Sequence, residues 1–246
     1  MKKILTINIE TKSRELNSRM MIAYEALKRD YIVIIGAQDE ITKLIPYLPD
    51  SIFFEKSISK NKLKKLTKIK RFGHKIVNLD EEGMASQNNK HFYLKQRLSK
   101  NTLDLIEYFF TWGDNEKKLI EDNYQEYKYK VKTTGNPRID AWKPDYIEFY
   151  KDEIYQINQK YKNYIFIASN FASLQHARGN EFIIKQGKDY QKIETKEDEE
   201  IINLKQIFFN KVYIAFLDMI KYLSKSLPNE TIVIRPHPGD NFQIGK

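Results

Sequence analysis

The chain has 246 residues, 41% of them hydrophobic and 13% aromatic, which is enough to bury a core and excludes wholesale disorder. It has no cysteine, so disulfides and thiolate-held metals are excluded, in keeping with a reducing cytoplasm. The net charge is +9, and the stretch from Lys56 to Lys75, with eight lysines, Arg71 and no acidic residue, accounts for an excess of that size by itself.

The first apolar run begins at Ile4 and is broken by Asn8 and Glu10, so a strand over Lys2 to Ile9 is expected rather than a secretory leader. Leu16, Met20, Ala23, Tyr24 and Leu27 recur at helical spacing, predicting a helix from Ser13 to Arg29 that buries that face. Tyr31 to Gly36 reads as a strand buried on both faces, and Ile52 to Phe54 as a short third strand. Asn61 to Phe72 reads as a helix with Leu63, Leu66, Ile69 and Phe72 inward and lysines outward, closed by a left-handed Gly73. Lys75 to Leu79 is the next strand. A helix around Tyr93 to Leu105 follows, then a strand over Tyr108 to Trp112. Asp114 is placed to cap a helix running through Asn123, and Tyr129 to Thr133 is again a strand.

This alternation predicts a doubly wound parallel sheet over residues 1–143. Pro137 and Pro144 mark the expected boundary, and 144–246 form a second unit. It opens with a charged helix around Tyr146 to Lys160 and a strand over Tyr164 to Ser169. A long loop at 177–198, a helix from Glu199 to Ser224 and a strand over Thr231 to Arg235 complete it. Two strands and one long helix make a small sheet, so the second unit is expected to be a partial domain. No run reaches the roughly 18 apolar residues of a membrane-spanning helix.

Ionisable residues cluster just past the strands, where open α/β sheets bind ligands. Asp80, Glu81, Glu82 and Gly83 leave the fourth strand. Mutual repulsion of the carboxylates would raise at least one pKa and suit it to proton abstraction, with Gly83 allowing close backbone approach. The same residues also suit an ordinary acidic loop. Arg235 and His237, stiffened by Pro236 and Pro238, suit phosphate recognition or a structural turn. Arg138 sits in Gly135-Asn136-Pro137-Arg138-Ile139-Asp140, either as a site residue or paired with Asp140 to fix the interdomain link. Asn170 ends another strand, and Glu10 and Arg14 follow the first one, on the loop that faces the cleft in a doubly wound domain. There is no GxGxxG and no P-loop. The histidines His74, His91 and His176 have no metal-ligand spacing, so no metal and no cofactor is expected. The Lys56 to Lys75 block reads as a solvated helix face or as a patch for an anionic membrane surface. It lacks interleaved aromatics, so nucleic acid is not expected as a partner.

In order, IETKSRELNSR, YIVIIGAQDEI, KIVNLDEEGM, FFTWG, TTGNPRID, IFIASNF and IVIRPHP resemble the bacterial surface carbohydrate biosynthesis protein family, related to the CDP-glycerol glycerophosphotransferases. The resemblance covers nearly the whole chain. It implies a GT-B-like architecture of two Rossmann-like domains with the active site in the cleft between them. It also implies a metal-independent transferase that uses a nucleotide-sugar or CDP-polyol donor as substrate and a glycan or lipid-linked acceptor. A more distant similarity to bacterial sialyltransferases and Kdo transferases matches an acidic-acidic-Gly motif to Glu81, Glu82 and Gly83. It matches a His-Pro motif to His237 and Pro238. It implies Glu81 as the base, with Asp80 shifting the choice toward Glu82 by one position, and His237 with Arg235 on the departing phosphate. The Ser/Thr motif that follows His-Pro in those families has no counterpart here, which leaves a truncated, non-catalytic glycan- or partner-binding protein as the other reading. The location implied is cytoplasmic, at the inner face of the membrane if the basic block docks there.

Overall fold

A computed structural model describes residues 2–83, 90–171, 180–189, 193 and 195–236. The chain divides into two compact units, Met1–Phe149 and Tyr150–Lys246. The break expected after residue 143 therefore falls after a short 3-10 segment, Pro144–Tyr150, has begun.

In the first unit, β1 (Ile4–Ile9) leads through α1 (Lys12–Leu27) to β2 (Ile32–Ala37) and α2 (Gln38–Leu44). β3 (Ile52–Glu55), α3 (Leu63–Arg71) and β4 (Lys75–Leu79) follow. Next come α4 (Lys90–Arg97), α5 (Lys100–Leu105), β5 (Tyr108–Thr111), α6 (Asp114–Asn123), β6 (Val131–Thr133) and α7 (Pro137–Asp140). The strands form one sheet in the order β2-β1-β3-β4-β5-β6, parallel throughout. This is a Rossmann-like α/β unit. Successive side chains on a strand point to opposite faces, and the core divides accordingly. Phe53 and Ile76 pack with Leu66, Ile69 and Phe109 on one side, while their neighbours Phe54 and Val77 pack with Leu5, Ile7 and Ala23 on the other. The chain leaves β1 for β2 on one side and enters β3 on the other, so the strand order reverses between β1 and β3.

Three expectations are corrected. β2 is not buried on both faces. It is the edge strand, and Ile32 and Ile35 remain exposed. The α1 face is also different: Glu15, Ser18, Arg19 and Ala23 are buried, while Met20, Tyr24 and Leu27 are exposed. The buried set keeps helical spacing but is mostly polar, so a reading of apolar periodicity rotates the helix the wrong way. The single helix expected over Tyr93 to Leu105 is two helices, because the Ser99 hydroxyl accepts a hydrogen bond from the Thr102 amide and starts α5 anew.

Elsewhere the local chemistry follows the residues. α3 buries Leu66 and Ile69, leaves Phe72 largely exposed and ends at Gly73, whose φ is +85°. A Cβ there would lie 2.6 Å from Asp50 Oδ1. Gly113, not Asp114, occupies the N-cap of α6, and Asp114 instead takes the Thr133 hydroxyl at 2.7 Å.

The second unit contains α8 (Lys151–Tyr161), β7 (Tyr164–Ala168), α9 (Asn180–Asp189), α10 (Lys196–Ser226) and β8 (Thr231–Arg235). β7 and β8 pair in parallel, from Tyr164 with Thr231 to Ala168 with Arg235. The loop expected over 177–198 is overturned by α9 and by an earlier start of α10. The Thr195 hydroxyl and the Asp198 carboxylate cap each other's backbone, a capping box that begins α10 at Lys196. Gly187 lets α9 close on Ile193, since a Cβ would meet Ile193 Cδ1 at 2.5 Å.

Candidate functional site

The carboxyl ends of the central strands carry polar side chains that are buried rather than solvated: Asn8, Glu55, Asn78 and Asp80, with Glu15 and Arg19 from α1. Burying charge is costly unless it is paired, and nearly every charge here has a partner. Lys56 bridges Glu10 and Glu15 at 2.7 Å each, and Lys65 lies 2.6 Å from Glu55. Asn8 donates to the same Glu55 carboxylate at 2.9 Å. Burial pushes the Glu10 carboxyl up, but the hydrogen bond and charge of Lys56, with Lys62 and Lys65 nearby, outweigh it and hold its pKa below the ordinary value. Arg14 is exposed on the first turn of α1.

The geometry separates the three consecutive carboxylates. Asp80 is fully buried and gripped by Arg97, with Nε 3.0 Å from Oδ2 and Nη2 2.5 Å from Oδ1. The Glu82 amide also donates to it, and the Trp112 indole donates to its carbonyl. Its pKa is raised chiefly by burial, against the opposing Arg97; the neighbouring Glu82 is a lesser contributor, so carboxylate repulsion is not the main cause. Asp80 is therefore an anchor.

Glu81 has a side chain only 9% exposed, and its Oε1 accepts from Arg19 Nη2 at 2.7 Å. Its Oε2 is enclosed, lies 3.7 Å from Arg138 Nη1 and has no hydrogen-bond partner among the described residues. Arg19 is itself 1% exposed and lies 4.6 Å from the centre of the Phe54 ring. Burial lowers its pKa, opposed by the charges of Glu81, Glu15 and Glu55. Arg138 does not pair with Asp140 as one sequence reading has it: it faces Glu81, and Asp140 pairs with Lys143 at 2.6 Å. Glu82 is the outermost of the three, mostly exposed and 3.2 Å from Arg97 Nη1. Gly83 packs so closely that a Cβ would lie 2.5 Å from Trp112 Cδ1 and 2.8 Å from a Glu116 oxygen.

A cavity of about 600 Å³ opens beside this turn, at the ends of β5 and β6, walled by Gly83, Trp112, the first turn of α6, the Gly135-Asn136 turn and α7. Glu116 stands in its wall, 2% exposed, and accepts from the Tyr93 hydroxyl at 2.5 Å and the Trp112 amide at 2.8 Å. Burial pushes its carboxyl up to about 7, against those two hydrogen bonds and with the help of Asp80. The Tyr93 phenol is also raised, by burial and by the charges of Asp80 and Glu116.

In the second unit, Asn170 follows β7 and Arg235 ends β8, both exposed. His237 and Pro238 lie outside the described residues. Arg19, Arg97, Tyr93 and Glu116 carry no functional signal in the sequence, whereas Asn136 belongs to the turn motif of residues 135–140. Arg19 lies outside the apolar stripe that the sequence offers on this helix, and Glu116 carries no motif. Within the basic block, Lys56, Lys65, Lys68 and Lys70 are engaged with Glu10 and Glu15, Glu55, the Thr42 carbonyl and Glu107. Lys60, Lys64, Arg71 and Lys75 remain exposed. Among the described residues, no group of three or more His, Asp or Glu side chains could hold a metal ion, and no helix is long and apolar enough to cross a membrane. No protein-family model matches the chain, and no curated protein matches it.

Proposed function

We propose that the chain is a glycosyltransferase-like protein of bacterial surface polysaccharide assembly. It takes a CMP- or CDP-linked donor, with Glu81 as the base that deprotonates the acceptor hydroxyl. The six-stranded unit is then the acceptor-side domain and the second unit the donor-side domain. The ordered motif resemblance supports the class. The observation that carries the residue assignment is the Glu81 carboxylate: one oxygen is fixed by buried Arg19, and the other has no hydrogen-bond partner among the described residues. Oε2 is enclosed and faces Arg138 at 3.7 Å; in this reading the acceptor O–H displaces that contact and donates to Oε2. As the acceptor oxygen bonds to the anomeric carbon, the bond from that carbon to the donor phosphate breaks and the hydroxyl proton passes to Glu81. The resemblance assigns the departing phosphate to His237 and Arg235. The alternative base, Glu82, projects into solvent beside Arg97, which suits it less for a desolvated proton transfer.

The test is turnover by the full chain on CMP-, CDP- and UDP-linked donors. Glu81→Gln is expected to lower turnover by roughly 10²- to 10⁴-fold, with folded protein verified by near-UV circular dichroism at the assay temperature, while Glu82→Gln retains most activity. Undiminished turnover in Glu81→Gln, or equal loss in both variants, would overturn the assignment.

A further inference from the structure

We infer that the cavity at the ends of β5 and β6 is a binding site for a neutral, polyhydroxylated ligand of saccharide type. Its volume of about 600 Å³ falls within the roughly 300–1,000 Å³ of small-molecule sites. The defining observation is Asn136. It is 4% exposed, lines the cavity and spends its carbonyl on the Arg138 amide, while its enclosed Nδ2 has no partner among the described residues. A buried donor left unmade costs about 1–3 kcal/mol, and a ligand oxygen that reaches this nitrogen through the cavity wall would remove that cost. The first turn of α6 adds to it. Gly113 supplies no capping side chain, so the opening N–H groups of a ten-residue helix meet the cavity without one.

The charge of the lining selects the ligand. Asp114, Glu116 and Asp140 stand against the single Lys143, which already pairs with Asp140. That balance disfavours an anion such as phosphate. A cation is disfavoured by the Asn136 amide and by the positive end of the α6 dipole. Hydroxyl groups satisfy both halves, since each can donate to a carboxylate and accept from an N–H. Trp112 and Ile139 supply apolar surface for the C–H face of a pyranose. Neither Glu81 nor Arg19 takes part, so the inference stands or falls independently of the transfer reading.

The experiment is saturation-transfer NMR and calorimetric titration of the full chain with the methyl glycosides of glucose, galactose and N-acetylglucosamine, with inorganic phosphate as the anionic control. At least one glycoside is expected to bind at millimolar concentration or below, and phosphate is not. Asn136→Asp keeps an oxygen to cap α7 and removes the free donor, so binding should weaken at least tenfold with little change in the melting temperature. A second variant blocks the space without touching a contact. Gly113 lines the cavity, has extended backbone, φ −172°, and leaves open space around a Cβ, so Gly113→Leu is expected to be accommodated and to take up cavity space. It should abolish binding. The inference is overturned if no glycoside binds at 20 mM, if phosphate binds instead, or if both variants bind as the wild type does.

Discussion

Glu116→Gln tests the electrostatics of the cavity wall most directly. The folded-state carboxyl sits at about 7 against an ordinary 4.5. Folding therefore takes up a proton between those values, and the sign follows: below about pH 4.5 both states are protonated and nothing is lost. As pH rises through the window, the unfolded chain ionises freely while the folded one resists, so stability falls until about pH 7 and is flat above it. At about 1.36 kcal/mol per pKa unit, the full loss is about 3 kcal/mol, most of it between pH 5 and pH 8. Glutamine removes the titration but keeps the shape. Its oxygen can accept from the Trp112 amide, and its NH₂ can donate to the Tyr93 hydroxyl, which rotates to accept. Both tryptophans, Trp112 and Trp142, lie in the first unit, so urea denaturation followed by tryptophan fluorescence reports on that unit alone. The wild type should lose about 2–3 kcal/mol more than the variant between pH 5 and pH 8. Comparing each protein across pH cancels the pH-independent cost of the substitution, and the slope from Asp80, also raised by burial, is common to both. Parallel stability curves would refute the reasoning.

The Arg19–Glu81 pair makes a second prediction. Glu81→Gln leaves a buried guanidinium without its nearest countercharge and should cost about 3–5 kcal/mol, whereas Arg19→Met combined with Glu81→Gln should recover much of it; urea midpoints for the single and double variants decide, and an additive result would sink the pairing. Gly83→Ala forces a methyl group within 2.5 Å of the Trp112 ring and should cost about 1–3 kcal/mol, while Gly113→Ala, with open space around its Cβ, should melt within a few degrees of the wild type; equal melting of both alanine variants would contradict the packing described.

Much of the first unit was legible because its strands are short apolar, β-branched and aromatic runs closed by polar exits. β4 begins and ends where its run does, at Lys75 to Leu79, and in the second unit so does β8, at Thr231 to Arg235. Sheet position was not legible. Tyr31 to Gly36 reads like a central strand, yet it lies at the edge, because neighbour order depends on which helices cross which face. α9 does not stand out in the sequence because Glu181, Lys185 and Lys188 make its exposed side as polar as a loop, and the close approach of Gly187 to Ile193 leaves no periodic signal. The candidate site was half visible. Strand-exit acids draw attention, but the role of each depends on its partner. Arg97 turns Asp80 into an anchor and Arg19 positions Glu81, and neither pairing leaves a trace in spacing, being 17 and 62 residues apart in sequence. Arg19 was hidden for a further reason. Periodicity rules treat arginine as outward-facing, and its burial makes sense only once Glu81, Glu15 and the Phe54 ring surround it.

That last contact also sets an order of events during synthesis. Synthesis runs from the amino end, so β1, α1 and β3 leave the ribosome before residue 81. Until then the guanidinium of α1 has Glu15 and Glu55 as countercharges but not the carboxylate that hydrogen-bonds it, and closing α1 onto the nascent sheet would bury it short of that partner. The helix should therefore stay loosely attached until the Asp80–Gly83 turn arrives, so that the group proposed to abstract a proton in the finished protein also acts as the latch that lets its first third consolidate.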